Sequence, residues 1–341
     1  MSDSPWLRIG WRNLGRNRKR TTLTALGLAV GFGASVFVVG WSEGIMVEMV
    51  ESATSLVNGQ IEIHDAEFRP DRSLYDTIGG RGGIDVEAWL RVIDGDASVV
   101  AVAPRVYAGG LISSGEATSA GMLMGIDPVR ELALTRFLDQ LVDGRLPRPG
   151  QNELVVGEGM VRQLSTRVGD ELVVVASGAD GSMVNDLYTL VGVFRSGLTE
   201  LDATFAVMPV GNLQTLLVLS SNRVHEIAVA TVDPMVAEAT AARLTDILPA
   251  VDPAIEVVPW TVLNPAMVDY VALADSMYFI IIIIVFGIAI FGAANSMLMA
   301  TFERRREFAV MLALGATPRS IWAVVLSEGV AVAVVSLGLG A

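Results

Sequence analysis

No cysteine occurs among the 341 residues, which removes disulfides, thiolate catalysis and cysteine-ligated metal from consideration. Lysine is nearly absent as well, Lys19 being the only one. A phosphate-binding loop needs a lysine before serine or threonine and after glycines. Arg18-Lys19-Arg20 supplies none of that context, so any ATP use belongs to another polypeptide. The two histidines, His64 and His225, are each followed by an acid, Asp65 and Glu226. Two imidazoles without cysteine make at best a weak, carboxylate-rich metal site, and both read as structural residues of apolar strands. No serine sits in a nucleophile elbow. The chain carries no enzyme signature, and no catalytic, metal or cofactor residue is assigned to it.

Basic residues are scarce where the chain is longest. Six lie between Arg8 and Arg20 and four between Arg304 and Arg319, leaving 14 against 33 acids from Ser42 to Asp275, a formal charge of −19 for that block. Nucleic acid is thereby excluded as its partner, since phosphate contacts need Lys or Arg. What is abundant is apolar: 52% of residues are hydrophobic, more than a soluble protein of this size carries.

The apolar residues are concentrated in three runs. Thr21 to Trp41 is uncharged over 21 residues, enough at about 1.5 Å per residue to cross a hydrocarbon core of roughly 30 Å. A secretory signal is the rival reading, but Trp41-Ser42-Glu43 does not resemble a small-residue cleavage site. Met277 to Met299 contains FIIIIIVFGIAIF, eleven strongly apolar residues between Phe279 and Phe291; together they favour insertion by roughly 3–7 kcal/mol. The third run, Ile321 to Ala341, is interrupted only by Ser327, Glu328 and Ser336. A carboxylate in such a run must pair, face the bundle interior or sit near the interface.

Basic residues beside spans stay cytoplasmic. Arg8, Arg12, Arg16, Arg18, Lys19 and Arg20 precede the first span and Arg304, Arg305 and Arg306 follow the second. Both flanks therefore face inward and the acidic block outward, and Trp6, Trp11, Trp41 and Trp322 fall near the boundaries this implies. The expected organisation is a cytoplasmic basic segment (1–20), span one (21–41), an extracytoplasmic domain with flanking stalk helices (42–275), span two (276–301), a cytoplasmic segment (302–320) and span three (321–341). The segment from Trp6 to Arg16 reads either as an amphipathic helix on the inner surface or as an extension of span one.

Between the spans the pattern is mixed. Strands are predicted at Val57–His64, Ser98–Val106, Tyr107–Ser113, Ser119–Ile126, Glu153–Val156, Asp170–Ala176, Leu187–Arg195, Ala203–Met208, Val224–Val232 and Ala254–Val258. Helices are predicted at Asp85–Ile93, Pro128–Gln140, Gly159–Leu164, Val210–Leu219 and Pro234–Leu248. Turn residues at Gly79-Gly80, Gly82-Gly83, Pro147 to Gly150 and Gly178 to Gly181 separate them. The order suggests one split α/β unit interrupted by a strand-rich insertion. The fold class is thus an α-helical membrane protein with a large two-lobed α/β extracytoplasmic domain between spans one and two. One lobe joins Leu56–Ser119 with Val224–Pro259, and the other is Ala120–Arg223. Gly27-x-x-x-Gly31 has a spacing that allows close helix packing, and Asn295 and Ser296 are placed either to bond across helices or to sit at the interface.

The most specific segment is NSMLMATFERRREFAVMLALGATPRSIW, Asn295 to Trp322. A charged cluster, Glu303 to Glu307, leads into a short apolar helix, then Gly315 as a helix stop and Thr317-Pro318 as cap and first-turn proline. Such an elbow suits contact with a cytoplasmic partner. Within it, ERRREFAVMLALGATPRSI resembles the FtsX-like permease domain (277–341 here) of the MacB and LolC/LolE group of ABC transporters. WRNLGRNRKRTTLT resembles the group's opening, NGQIEIHDAEF the segment after the first span in its lipoprotein-releasing permeases, and GIDP, LVDGRLPRPGQNELVVGEGMV and VGDELVVV its periplasmic core.

The resemblance implies a permease subunit of the cell inner membrane that binds no ATP itself. Its partners would be a cytoplasmic ABC ATPase, a second permease copy or paralogue, membrane lipid, and a periplasmic carrier or adaptor. By motif, the ATPase-coupling positions are Glu303, Arg304, Arg306, Glu307, Leu314, Gly315, Ala316 and Thr317. Mechanotransmission is the implied mode, with lipoprotein release as its closest counterpart, while drug or peptide efflux and control of a cell-wall hydrolase are the alternatives. A membrane-anchored binding domain without an ATPase is the reading from a different class. Members of this group have four spans with more residues after the third, and this sequence departs from that pattern by stopping within its third.

Overall fold

The computed structural model describes residues 18–56, 58–69, 73–79, 84–248 and 255–340, with side chains from Thr22 to Leu339. The expected amphipathic segment at Trp6 to Arg16, and residues Val57, Gly80, Gly82, Gly83 and Ala254 of the expected strands and turns, lie outside the described residues. Two compact units form, one of residues 47–268 and one of the residues up to Met46 with those from Asp269 onward.

In the first unit, all ten strands among the described residues belong to one hydrogen-bonded sheet. Its first section contains β1 (Ile61–Asp65), α2 (Val86–Asp94), the start of β2 (Val99–Ser113), β9 (Glu226–Thr231), α7 (Ala237–Ile247) and β10 (Ile255–Pro259). The strands lie in the order β10-β1-β9-β2, every neighbour antiparallel. Each β-α-β connection therefore skips over one strand, the split β-α-β arrangement. Helix α2 forms because Asp85 accepts from the Glu87 N–H as N-cap, while Val86, Trp89, Leu90 and Ile93 bury one face at helical spacing.

The second section is the insertion: β3 (Thr118–Ile126), α3 (Pro128–Leu134), β4 (Leu141–Gly144), β5 (Glu153–Gly157), α4 (Glu158–Leu164), β6 (Glu171–Ser177), β7 (Met183–Phe194), α5 (Thr199–Thr204), β8 (Phe205–Pro209) and α6 (Val210–Leu216). Pairing runs β2-β3-β8-β5-β7-β6 and back to β2, closing a six-strand ring. Its core gathers Tyr107, Met124, Ile126, Phe137, Val155, Phe194 and Val207. The GIDP segment is accounted for locally: Ile126 ends β3, Asp127 caps α3 by accepting from the Val129 and Arg130 N–H groups, and Pro128 fills the first turn. Gly157 is required by close approach, since a Cβ there would lie 2.3 Å from the Asp202 carbonyl oxygen.

The two expected lobes share a strand. Residues Val99 to Arg105 of β2 pair with β9, and Arg105 to Ser113 pair with β3, the last four also with β6. A single 15-residue strand thus replaces the two strands expected to break at Val106. The insertion begins inside β2 rather than after it. Strand β4 and helix α5 are additional to the expected elements.

The end of α1 (Arg18–Ser55) and the segment after β10, α8 (Trp260–Leu263), are tied into this unit by Gln60. Its buried side chain donates to Thr54 Oγ1 at 3.0 Å and accepts from the Thr231 N–H at 3.0 Å, and its main-chain carbonyl accepts from the Trp260 N–H at 2.8 Å. Trp260 in turn donates through Nε1 to the Pro234 carbonyl at 2.7 Å.

The other unit consists of helices: the earlier part of α1, most of α9 (Pro265–Glu303), α10 (Arg305–Ala313) and α11 (Pro318–Gly340). Among the described residues three segments, Thr22–Ser55, Pro265–Glu303 and Pro318–Leu339, are long and apolar enough to cross a membrane. In α9, none of the most apolar window is buried, and Phe279, Ile283 and Phe291 are all exposed. Such a surface calls for lipid or another protein around it. Gly31 lets α1 approach α9, a Cβ there falling 3.1 Å from that of Ala289, whereas Gly27 faces open space. The two glycines of the expected packing motif therefore do different things. Ser296 bonds across helices to Thr24, Oγ to Oγ1, at 2.6 Å.

Candidate functional site: a charged helical hairpin

After Phe302 the apolar run of α9 gives way to Glu303-Arg304-Arg305-Arg306-Glu307. Arg304 leaves helical geometry (φ −93°, ψ 11°) and α10 starts one residue later. The helix closes at Leu314, and Gly315 takes φ +94°, a left-handed conformation that glycine adopts without steric cost. Backbone bonds close the turn. Gly315 N–H donates to the Leu312 carbonyl at 3.0 Å and Ala316 N–H to that of Met311 at 3.0 Å. Thr317 then caps α11, accepting from the Ser320 N–H at 3.3 Å with Pro318 in the first turn.

The eight positions singled out by motif divide by where the hairpin places them. Leu314 stands at the tip, 82% exposed, with Gly315 and Thr317 exposed beside it and Ala316 half-buried. Glu303 and Arg306 are exposed at the base. Arg304 is turned inward. Its guanidinium donates through Nη1 to Glu328 Oε1 at 2.5 Å and through Nε to Glu307 Oε2 at 3.0 Å, and stacks 5.3 Å from the centre of the Phe308 ring. The apolar-run carboxylate at Glu328 is thus paired within the chain. Nothing in local sequence pattern announces this contact across 24 residues.

The histidines take no part. His225 Nδ1 accepts from the Tyr107 N–H at 3.0 Å and Nε2 lies 3.1 Å from the Leu74 carbonyl, which it serves as donor. Burial pushes its pKa down to about 4. The ring of His64 bonds the Asp65 main-chain carbonyl rather than a carboxylate. Among the described residues no group of three or more His, Cys, Asp or Glu is placed to hold a metal ion. Asp65 and Glu226, the flanking acids, serve instead as acceptor for the Glu67 N–H and as partner of Arg105.

Comparison with known proteins now gives the class. Residues 21–247 match the model of the MacB-like periplasmic core domain and residues 279–341 that of the FtsX-like permease C-terminal domain. The chain belongs to the MacB, LolC/LolE and FtsX family of ABC transporter permeases, whose members are permease subunits rather than enzymes. The lipoprotein-releasing system transmembrane protein LolC of Neisseria meningitidis serogroup B is 24% identical over 339 residues, covering 94% of this chain and 76% of that one. LolE of Haemophilus influenzae is 20% identical over 326 residues, covering 90% and 74%. Among solved structures, the periplasmic region of MacB from Actinobacillus actinomycetemcomitans aligns with a TM-score of 0.43 at 14% identity, over 64% of this chain and 97% of that region.

Proposed function

We propose that this chain is the inner-membrane permease subunit of a transporter that extracts lipidated proteins from the membrane, its ATP being hydrolysed by a separate subunit docked on the hairpin. The observation that carries this is the tip: a turn closed by backbone bonds at Leu314, Gly315 and Ala316 and capped by Thr317, yet presenting Leu314 almost fully to solvent. Leu314 at the end of a capped turn offers an apolar side chain whose burial in a partner's groove would favour docking. The acidic domain lies outside in this reading and the hairpin inside, as the arginines require. Closure of the ATPase pair would move the hairpin and, through α1 and α9, rearrange the outer domain. A second copy or a paralogue completes the channel, and a carrier outside accepts the cargo. The likeness to LolC and LolE supports lipoprotein as cargo over drugs or peptides.

Purification of the full-length chain from its host membranes is expected to bring down a P-loop ATPase encoded separately. Leu314→Asp and Gly315→Trp should each abolish that capture without lowering the amount of chain in the membrane. Capture unchanged by both substitutions would dismiss the docking assignment.

A further inference from the structure

Arg304 and Glu328 occupy matching places on the two arms of the hairpin. From Arg304 to Leu314 is ten residues, and from Pro318 to Glu328 is ten more, each about 15 Å of helix. The 2.5 Å ion pair therefore closes the hairpin at its base. Arg304 and Glu328 are 20% and 19% exposed. Roughly one turn nearer the tip, Phe308 on one arm and Val324 on the other are both buried, as expected of arms that each turn one face inward.

The base also has a defined height. Apolar residues of α9 continue to Phe302 and are followed at once by Glu303 and three arginines. Such a cluster fixes the inner boundary of the hydrocarbon there. Glu328, held against Arg304, lies at that same boundary. The first ten residues of α11, in which Arg319, Ser320 and Ser327 flank the apolar stretch Ile321 to Leu326, then stand on the cytoplasmic side of that boundary.

We propose that Arg304 and Glu328 are a positioning pair that sets the hairpin upright at the inner membrane surface. The third span accordingly enters the bilayer at Glu328 rather than at Ile321, and the tip at Leu314 is carried about 15 Å clear of the lipid. Arg304 acts through Glu328 and does not itself meet the motor, in contrast to the exposed Arg306. This deepens the functional reading above, on which only the role of the tip depends; the height of the hairpin can be measured without any ATPase.

The absence of cysteine makes that measurement direct. In inside-out membranes stripped of peripheral proteins, a full-length chain carrying Leu326→Cys should react with a membrane-impermeant maleimide, and one carrying Val334→Cys should not. Adding Arg304→Ala or Glu328→Ala should slow labelling at position 326 by roughly fivefold, whereas Arg304→Lys should stay within about twofold of the parent. Leu326→Cys as unreactive as Val334→Cys would overturn the proposal, and so would labelling indifferent to both alanine substitutions. ATPase capture is scored separately on unstripped membranes, so a failure of docking and a failure of the positioning pair give different results.

Discussion

Arg105 and Glu226 face each other across the β2–β9 pairing, Nη1 to Oε1 at 2.9 Å, with essentially no exposure of either side chain. They stand where β2 leaves the open part of the sheet for the closed ring. The same guanidinium grips Glu131 of α3 with two contacts, 2.6 and 3.2 Å, and donates to the Asn58 carbonyl at 3.2 Å. Burial alone would depress Arg105, but the charges around it, Glu131 first, hold it well above its ordinary value. One residue thus fastens both sections of the domain to the helix over them.

Arg105→Met should accordingly be costly, because it removes the cation that two buried carboxylates share. A loss of about 3–5 kcal/mol is expected, seen as a lowered thermal midpoint of the detergent-solubilised chain. The triple change with Glu131→Leu and Glu226→Leu should recover most of it. A triple variant no more stable than Arg105→Met would show that the cluster is not acting as an ionic unit.

Gln60→Leu keeps the side-chain volume but withdraws the partners of Thr54 Oγ1 and the Thr231 amide. Thr54 Oγ1 keeps its bond to the Val50 carbonyl at 2.8 Å, but leaving the buried Thr231 amide unsatisfied should cost about 1–3 kcal/mol. The local signature is hydrogen exchange: the Thr231 amide should lose protection while the ring strands keep theirs.

His225 provides a pH test whose direction is fixed. The folded protein holds it at about 4, against 6.5 for an ordinary histidine, so between those values the unfolded chain binds the extra proton. Its contribution is fully present above about pH 6.5 and falls by up to about 3 kcal/mol as pH drops to about 4. Urea midpoints at pH 7 and pH 4.5 should differ accordingly, and His225→Gln should flatten that difference.

Much of this architecture was legible because hydrophobic period and turn chemistry agree with each other. Asp85 before Val86-x-x-Trp89-Leu90 announces a capped amphipathic helix, and Asp127-Pro128 announces another. What was hidden depends on partners distant in the chain. The run AVAPRVYAGGLIS gives no sign that Pro104 tolerates a strand because β2 has a strand on only one side there. Strand β4 is four residues with two of them Asp and Gly, paired through an irregular register, too short to show a period. Helix α5, TELDAT, has no apolar stripe to speak of. At the hairpin, charge identified Arg304 as noteworthy but could not say which way it points. Only the position of Glu328 in three dimensions separates it from Arg306.

The closed ring has one more consequence. Each of its six strands has a neighbour on either side, so the lobe is finished as a cylinder rather than hemmed as a cloth. A domain without disulfides is at risk from copies zipping together through bare strand margins. Here the bare margins are the two ends of the strand order, β10 in the open section and the four-residue β4, which pairs with β7 alone, beside the ring. Away from those two margins, another polypeptide meeting the ring is gripped by loops and side chains rather than by an added strand.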